Sequence, residues 1–293
     1  MPFFWSRRQF LKATAAVAGA GSIGLASDGI AFEANDPRLV RLDVPLSRWP
    51  AALDGFTIAQ LSDFHYDEHF SAVPIRKAVA MVNDLKPDLI ALTGDFVTIP
   101  VFSDYRHDAK QGADVAEPCA QALSRLRAPH GVFAILGNHD HDSDPERVIS
   151  ALAGQGIQML RNASVPIETS GARFWLTGVD DVLTGKPDLD ASLKSVPRSE
   201  ATVLLSHEPD YADQASHYPI DLQLSGHSHG GQIRLPLVGA IFLPDLARKY
   251  PWGLRRVGPL TLYTNIGLGT IRIAARHNCP PEVTLITLRS QRI

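Results

Sequence analysis

Two histidines separated by a single residue and framed by glycines, Gly226-His227-Ser228-His229-Gly230, follow directly on the apolar run 221–225. Imidazoles bind borderline divalent ions, and a frame without side-chain bulk lets the backbone come close to an ion or a phosphate. Four other apolar runs end in the same way: 56–62 runs into Asp63 and His65, 88–93 into Gly94 and Asp95, 131–136 into Gly137, Asn138 and His139, and 202–206 into His207. Imidazoles, carboxylates and an amide oxygen, with no sulfur, suit manganese, iron or zinc rather than copper(I) or a structural zinc cage. The set supplies enough ligands for two divalent metal ions sharing Asp95. In dinuclear sites the ions lie roughly 3.5 to 4 Å apart, a separation that one carboxylate can bridge. Two dications against two carboxylates leave a positive site, which attracts an anionic phosphate ester and lowers the pKa of a bridging water until hydroxide is available near neutral pH. His139 is the candidate acid for the leaving oxygen, because Asn138 beside it supplies the ligand; such proton donation contributes about a hundred- to ten-thousand-fold in rate.

The runs that deliver these groups are short and rich in Ile, Val, Leu or Phe, which predicts strands buried on both faces. Between them lie helical patterns. Residues 74–88 open with Pro74, repeat Ile75, Val79, Val82 and Leu85 at helical spacing and stop at Pro87; residues 144–156 begin with Asp144 as N-cap and Pro145 at the first helical position. Strand and helix alternate, predicting an α/β domain with ligands at the carboxyl ends of its strands. The glycines at 94, 137 and 226 then allow a sharp turn and close backbone approach. Taken singly, His207 reads as a hydrogen-bonded core histidine and Asp63 as a cap or turn residue; five ordered placements at strand ends favour the metal reading. His69, His107, His130, His141, His217 and His277 fit no ligand slot, and Asp140 reads equally as a positioning group or a solvated turn carboxylate.

Asp63-Phe64-His65, Gly94-Asp95, Gly137-Asn138-His139-Asp140, His207 and Gly226-His227-Ser228-His229, in that order, resemble the signature of the calcineurin-like metallophosphoesterase superfamily. The resemblance implies a four-layer α/β/β/α sandwich of two mixed sheets. It further implies that Asp63, His65, Asp95 and His229 hold one metal and that Asp95, Asn138, His207 and His227 hold the other. His139 would protonate the leaving group or stabilise charge on the phosphoryl oxygens. Leu205 onward (LSHEPD), residues 226–236 and residues 279–288 are similar to a bacterial branch of exported or membrane-associated phosphodiesterases. Protein serine/threonine phosphatases carry VDRG after the aspartate where this chain reads Phe96-Val97-Thr98, which argues against phosphoprotein substrates. The implied activity is hydrolysis of phosphate esters, foremost phosphodiesters. The alternatives are a pyrophosphohydrolase of the UDP-2,3-diacylglucosamine type in lipid A synthesis and a non-catalytic envelope-binding protein on the same scaffold.

Length and composition fit an ordinary globular enzyme: 293 residues, 45% hydrophobic and 20% charged, with a formal net charge of -3 that disfavours nucleic-acid binding. Residues 1–31 read as a twin-arginine signal peptide or N-terminal anchor, with Ser6-Arg7-Arg8-Gln9-Phe10-Leu11-Lys12 before an uncharged Ala/Gly-rich run, and residues 32–293 as a single catalytic domain. Such a chain would use the twin-arginine export machinery and work in the periplasm or on the outer face of the cytoplasmic membrane. Cys119 and Cys279 read as two ordinary thiols, with a bridge as the alternative. Two long irregular stretches remain. Residues 96–118 are placed to wall a substrate pocket. Residues 235–258, with Phe242, Leu243, Trp252, Arg255 and Arg256, read first as a packed hairpin with exposed arginines and second as a rim meeting a lipid or an anionic head group. Replacing Arg7 and Arg8 together by lysine is expected to trap the protein inside the cell; fractionation followed by immunoblotting reads this, and normal export of the variant would refute the signal assignment.

Overall fold

The computed structural model describes residues 33–99 and 111–291, so the segment read as a signal peptide or anchor, like residues 100–110, lies outside the described residues. The apolar runs do form strands: β2 (Thr57–Leu61), β3 (Leu89–Leu92), β4 (Val132–Ala134), β8 (Thr202–Leu205) and β9 (Leu222–Ser225). All but the first residue of β2 are buried on both faces. The remaining strands are β1 (Arg38–Leu46), β5 (Gln158–Met159), β6 (Ala163–Thr169), β7 (Ala172–Gly178), β10 (Arg234–Leu235), β11 (Gly239–Ala240), β12 (Gly253–Val257), β13 (Leu260–Thr264) and β14 (Glu282–Ser290).

These strands build two six-stranded sheets, in the order β1-β14-β2-β3-β4-β5 and β12-β13-β9-β8-β7-β6, with β10 and β11 forming a separate small hairpin. Both sheets are mixed. In the first, β2, β3 and β4 run parallel while β14 is antiparallel to β2; in the second, β7, β8 and β9 run parallel while β6 and β12 pair antiparallel at the edges.

The helices are α1 (Ala72–Leu85), α2 (Ala116–Leu123), α3 (Asn138–Ser143), α4 (Pro145–Ala153), α5 (Leu189–Leu193) and α6 (Ala212–Ala215). Helix α1 buries Ile75, Val79 and Val82 as the spacing predicts, and Lys86 ends it in the left-handed region just before Pro87. Asp144 caps α4 by accepting from Arg147 N–H. Helix α2 begins inside the stretch read as irregular, 96–118. Pro118 sits in its first turn, where a missing N–H leaves no intrahelical bond unmade.

Three apolar layers separate four layers of structure. Ile75, Val82, Cys119, Leu123, Val148 and Leu152 pack helices α1, α2 and α4 on the outer face of the first sheet. Ile58, Ile135, Phe174, Val203, Leu224 and Ile286 fill the space between the sheets. Leu189, Ala212 and Ala215 cover the second sheet around Leu204 and Leu262. The result is the four-layer α/β/β/α sandwich of two mixed sheets. Polar ties fix the two sheets against each other close to the strand ends: Gln60 donates to the Ser225 carbonyl at 2.9 Å, and Glu282 of β14 accepts from Tyr263 Oη of β13 at 2.6 Å.

The inter-sheet layer is densely aromatic, with Phe174 lying 4.7 Å from the Trp49 ring and 5.1 Å from that of Phe56. Phe174 is fully buried. Phe174→Ala is therefore expected to cost about 3–5 kcal/mol of stability, read as a lower denaturant midpoint in urea unfolding; a shift under about 1 kcal/mol would contradict this packing.

Candidate metal centre

The parallel strands β2, β3 and β4 of one sheet and β8 and β9 of the other all end at the same edge of the sandwich. The chain turns there within one or two residues, and non-glycine residues take the bend: Asp63, His65, Asp95, His227 and His229 all have φ between 40° and 66°. Such left-handed conformations each cost about 1–3 kcal/mol and persist where the surroundings impose them. The preceding glycines divide the work differently from the expectation. Gly94 has φ 93° and makes a turn, whereas Gly226 serves by its small size, since a Cβ there would collide with Ser62 Oγ and the Asp63 carboxylate. Gly137 has extended backbone and likewise admits the Asp95 carboxylate beside it.

Seven of the eight candidates, all but Asn138, offer His or Asp side chains; six of these fall into two overlapping groups. Ligand-capable atoms of Asp63, His65, Asp95 and His229 lie within 4.8 Å of one another, and those of Asp95, His207 and His227 do the same, so Asp95 belongs to both. His65 Nε2 lies 3.0 Å from His229 Nε2 and 3.3 Å from Asp95 Oδ2; His207 Nε2 lies 3.2 Å from the same oxygen; His229 Nε2 lies 3.4 Å from Asp63 Oδ1. Asn138 Oδ1 and His207 Nε2 are buried with no hydrogen-bond partner. Buried polar atoms are rarely left unpaired, and a donor set of imidazoles, carboxylates and an amide oxygen that points orphan lone pairs at one another fits divalent cations.

Partners outside the cluster set which nitrogen each ring presents. His207 Nδ1 donates to the Thr93 carbonyl at 2.6 Å and His227 Nε2 to the Asp245 carbonyl at 2.9 Å; a carbonyl only accepts, so Nε2 of His207 and Nδ1 of His227 are left as acceptors. His65 Nδ1 pairs with Thr98 Oγ1 at 2.9 Å, leaving Nε2 toward the cluster. His139 stands apart from both groups, its ring edge-on to His65 at 4.9 Å, and its Nδ1 accepts from the Ile99 backbone N–H at 3.1 Å. An acceptor Nδ1 leaves the proton of the neutral ring on Nε2.

The electrostatics follow from burial. Burial holds His139 and His227 down to about 4 and His229 well below the usual imidazole range, so these rings are neutral. Burial also raises Asp63. At Asp95 and His207 burial opposes charge, but each offsets it for the other: His207 holds Asp95 well below the ordinary carboxylate range, and Asp95 with Asp63 holds His207 well above the imidazole range. A divalent cation beside Asp95 would supply that positive charge in place of a proton on His207 and take the Nε2 lone pair instead.

Several supporting residues escape a reading of the sequence. Asp140 is fully buried rather than solvated: it accepts from Phe96 and Val97 N–H at 2.7 and 3.0 Å and from Gly137 N–H at 3.0 Å, tying the segment after β3 to the start of α3. Its position three residues after Gly137 is the available signal, that of an acidic group reaching back at a helix start. Thr93 and Thr98 look unremarkable in sequence, because their roles depend on histidines far along the chain. Cys119 and Cys279 are both free and buried. His130 packs against Phe56 and His141 lies 3.9 Å from Asp180, away from the cluster groups.

The cluster lies at the floor of a cavity of about 610 Å³, reached by Asp95, Asn138, His139, His227 and His229 and walled above by Ile241, Phe242, Ile271 and Ile273. Comparison with known proteins is consistent with this architecture. Residues 56–231 match the calcineurin-like phosphoesterase model, and residues 6–24 match the twin-arginine translocation pathway signal sequence. The uncharacterized metallophosphoesterase YkuE of Bacillus subtilis is 34% identical, over 97% of this chain and 98% of its own. The phosphodiesterase YaeI of Escherichia coli is 35% identical, over 97% and 99%. The UDP-2,3-diacylglucosamine pyrophosphatase LpxG of Chlamydia muridarum is 26% identical, over 87% and 90%. A buried His/Asp cluster at converging strand ends, a family model spanning most of the sandwich and full-length relatives agree: this chain belongs to the calcineurin-like phosphoesterase family and is a metal-dependent hydrolase.

Proposed function

We propose that the protein hydrolyses phosphodiesters outside the cytoplasm at a two-ion centre, with Asp63, His65, Asp95 and His229 holding one ion and Asp95, Asn138, His207 and His227 the other. The observation that carries this reading is the sharing of Asp95 between two buried ligand groups, with orphaned Asn138 Oδ1 and His207 Nε2 beside them. Manganese, iron or zinc all suit the donor set. When bound, such ions polarise the phosphoryl group and lower the pKa of a coordinated water.

The chain's own residues do the rest. The cavity admits the ester with its phosphate toward the cluster, and the apolar wall excludes bulk water. His139 faces the same cavity with Nε2–H as donor, because the Ile99 amide occupies Nδ1. Of its two roles, hydrogen-bond donation to a phosphoryl or leaving oxygen is the one this tautomer favours. The twin-arginine match supports action in the periplasm or on the outer face of the cytoplasmic membrane, and among the described residues no helix is long and apolar enough to cross a membrane.

A second reading draws on the apolar wall. A substrate with acyl chains would fit Ile241, Phe242, Ile271 and Ile273, and a diacylated, nucleotide-linked diphosphate, as named for LpxG, is such a substrate. The export signal matched at residues 6–24 fits a nucleotide-linked substrate poorly, which ranks this reading second. Loss of a ligand would favour a non-catalytic envelope-binding role, yet every slot is filled in the sequence.

The test is hydrolysis of bis-p-nitrophenyl phosphate with added manganese. Wild type is expected to turn over, Asp95→Asn to fall to background, and His139→Ala to lose about a hundred- to a thousand-fold. Faster cleavage of a lipid-linked diphosphate than of simple diesters would favour the second reading. Inactivity of wild type with manganese, iron and zinc, together with retention of cell-wall or membrane material, would favour the binding protein.

A further inference from the structure

Ten large hydrophobic side chains are exposed among the described residues, and six of them, Leu235, Leu237, Val238, Ile241, Phe242 and Ile273, lie on two neighbouring loops. The first loop is the β10–β11 hairpin and the residues just after it. Leu237, at 109% exposure, and Val238, at 71%, form its tip, with Ile241 at 61% and Ile273 at 58% behind them. The packed hairpin expected for residues 235–258 therefore forms only in part: Arg255 and Arg256 do lie exposed on the edge strand β12, but the preceding apolar residues project outward instead of packing.

The base of this projection is tied to its neighbour. Gln232 donates to the Ile271 and Ile273 carbonyls at 3.1 and 2.7 Å and accepts from Ile271 N–H at 2.8 Å, which fixes the second loop against the base of the hairpin. Arg272 stacks 4.4 Å from the Phe242 ring, and Arg234 stacks 4.1 Å from that of Trp252. Residues 234–256 carry Arg234, Arg248, Lys249, Arg255 and Arg256; Arg248 pairs with Asp245 and Lys249 with Asp213, so the surplus positive charge of this segment lies on Arg234, Arg255 and Arg256, in a chain whose formal net charge is -3.

We propose that the β10–β11 hairpin tip and the adjoining Ile273 loop insert into the surface of a lipid bilayer bearing anionic headgroups. Exposed apolar side chains with Arg272 and Arg234 beside their base match that surface in both respects: the apolar groups enter the acyl boundary and the guanidiniums meet phosphates at the headgroup level. A second copy of the chain fits less well. A stable dimer buries about 800 Å² per partner on a broad face, whereas this is a narrow tip with a basic rim that would repel its own copy. Ile241, Phe242, Arg272 and Ile273 belong both to this projection and to the wall of the cavity above the His/Asp cluster. Docking would turn the mouth of that cavity toward the bilayer, so an ester anchored in the membrane reaches it without crossing water. This consequence for substrate rests on the proposed phosphodiesterase reading; docking itself does not.

The test uses the intact chain and vesicles of phosphatidylcholine alone or with phosphatidylglycerol. Leu237→Cys is labelled with an environment-sensitive fluorophore, the native Cys119 and Cys279 being buried. The label is expected to shift to the blue and lose access to an aqueous quencher on adding phosphatidylglycerol vesicles, which reports insertion at that site whatever the N-terminal segment does. Combined Leu237→Asp and Val238→Asp is expected to weaken partitioning about tenfold or more while leaving hydrolysis of soluble bis-p-nitrophenyl phosphate unchanged. A label that stays wet and quenchable, or partitioning unaffected by the double substitution, overturns the proposal. So does a dimer in analytical ultracentrifugation that the double substitution abolishes, since the tip then serves a second copy. Wild type that docks but cleaves no diester removes the proposed function and leaves docking standing; cleavage without docking does the reverse.

Discussion

Two carboxylates buried side by side are the constraint on which the rest of this structure depends. Asp63 and Asp95 are shielded from water at the edge where two sheets meet, and charge in such a place costs several kcal/mol per group unless it is compensated. The protein surrounds them with five imidazoles, one of which, His207, holds a proton against the opposition of burial. That arrangement balances part of the charge and leaves Asn138 Oδ1 without a partner. A pair of divalent cations would answer both needs at once, which is why the cluster makes sense as a metal centre and poorly as a set of core hydrogen bonds.

Holding that cluster together determines much of what surrounds it. Left-handed turns at Asp63, His65, Asp95, His227 and His229 are conformations a chain adopts only under compulsion. Here the compulsion comes from buried parallel strands behind each turn, from glycines that keep neighbouring backbone out of the way, and from Asp140, which binds three amides at the junction of two turns. Thr93, Thr98 and the Asp245 carbonyl aim three of the rings. Ligands drawn from both sheets also require the sheets to keep their separation, and Gln60, Tyr263 and Glu282 tie them near the site.

Much of this is visible in the order of residues because it is local. A buried strand shows as a short apolar run, a helix start as Asp144 and Pro145, a cluster residue as a histidine, aspartate or asparagine just past the end of such a run. What depends on distant partners is not visible. The edge strands β1, β6 and β12 carry mixed patterns that are decided by their neighbours, and the mixed direction of each sheet is a matter of chain return rather than of local preference. Helix α2 is masked by Pro118, and the burial of Asp140 follows from a segment more than forty residues away. The apolar tip at Leu237 is a further case: residues 235–258 read first as a packed hairpin and second as a rim, and only the fold leaves Leu237 and Val238 outside.

The central claim is that the shared Asp95 holds two neighbouring cations, and electron paramagnetic resonance of the manganese-loaded protein tests it most directly, alongside metal analysis of the same sample. The account predicts two manganese ions per chain with the spectrum of an exchange-coupled pair. An isolated six-line signal with one ion per chain, unchanged as more manganese is supplied, would contradict it.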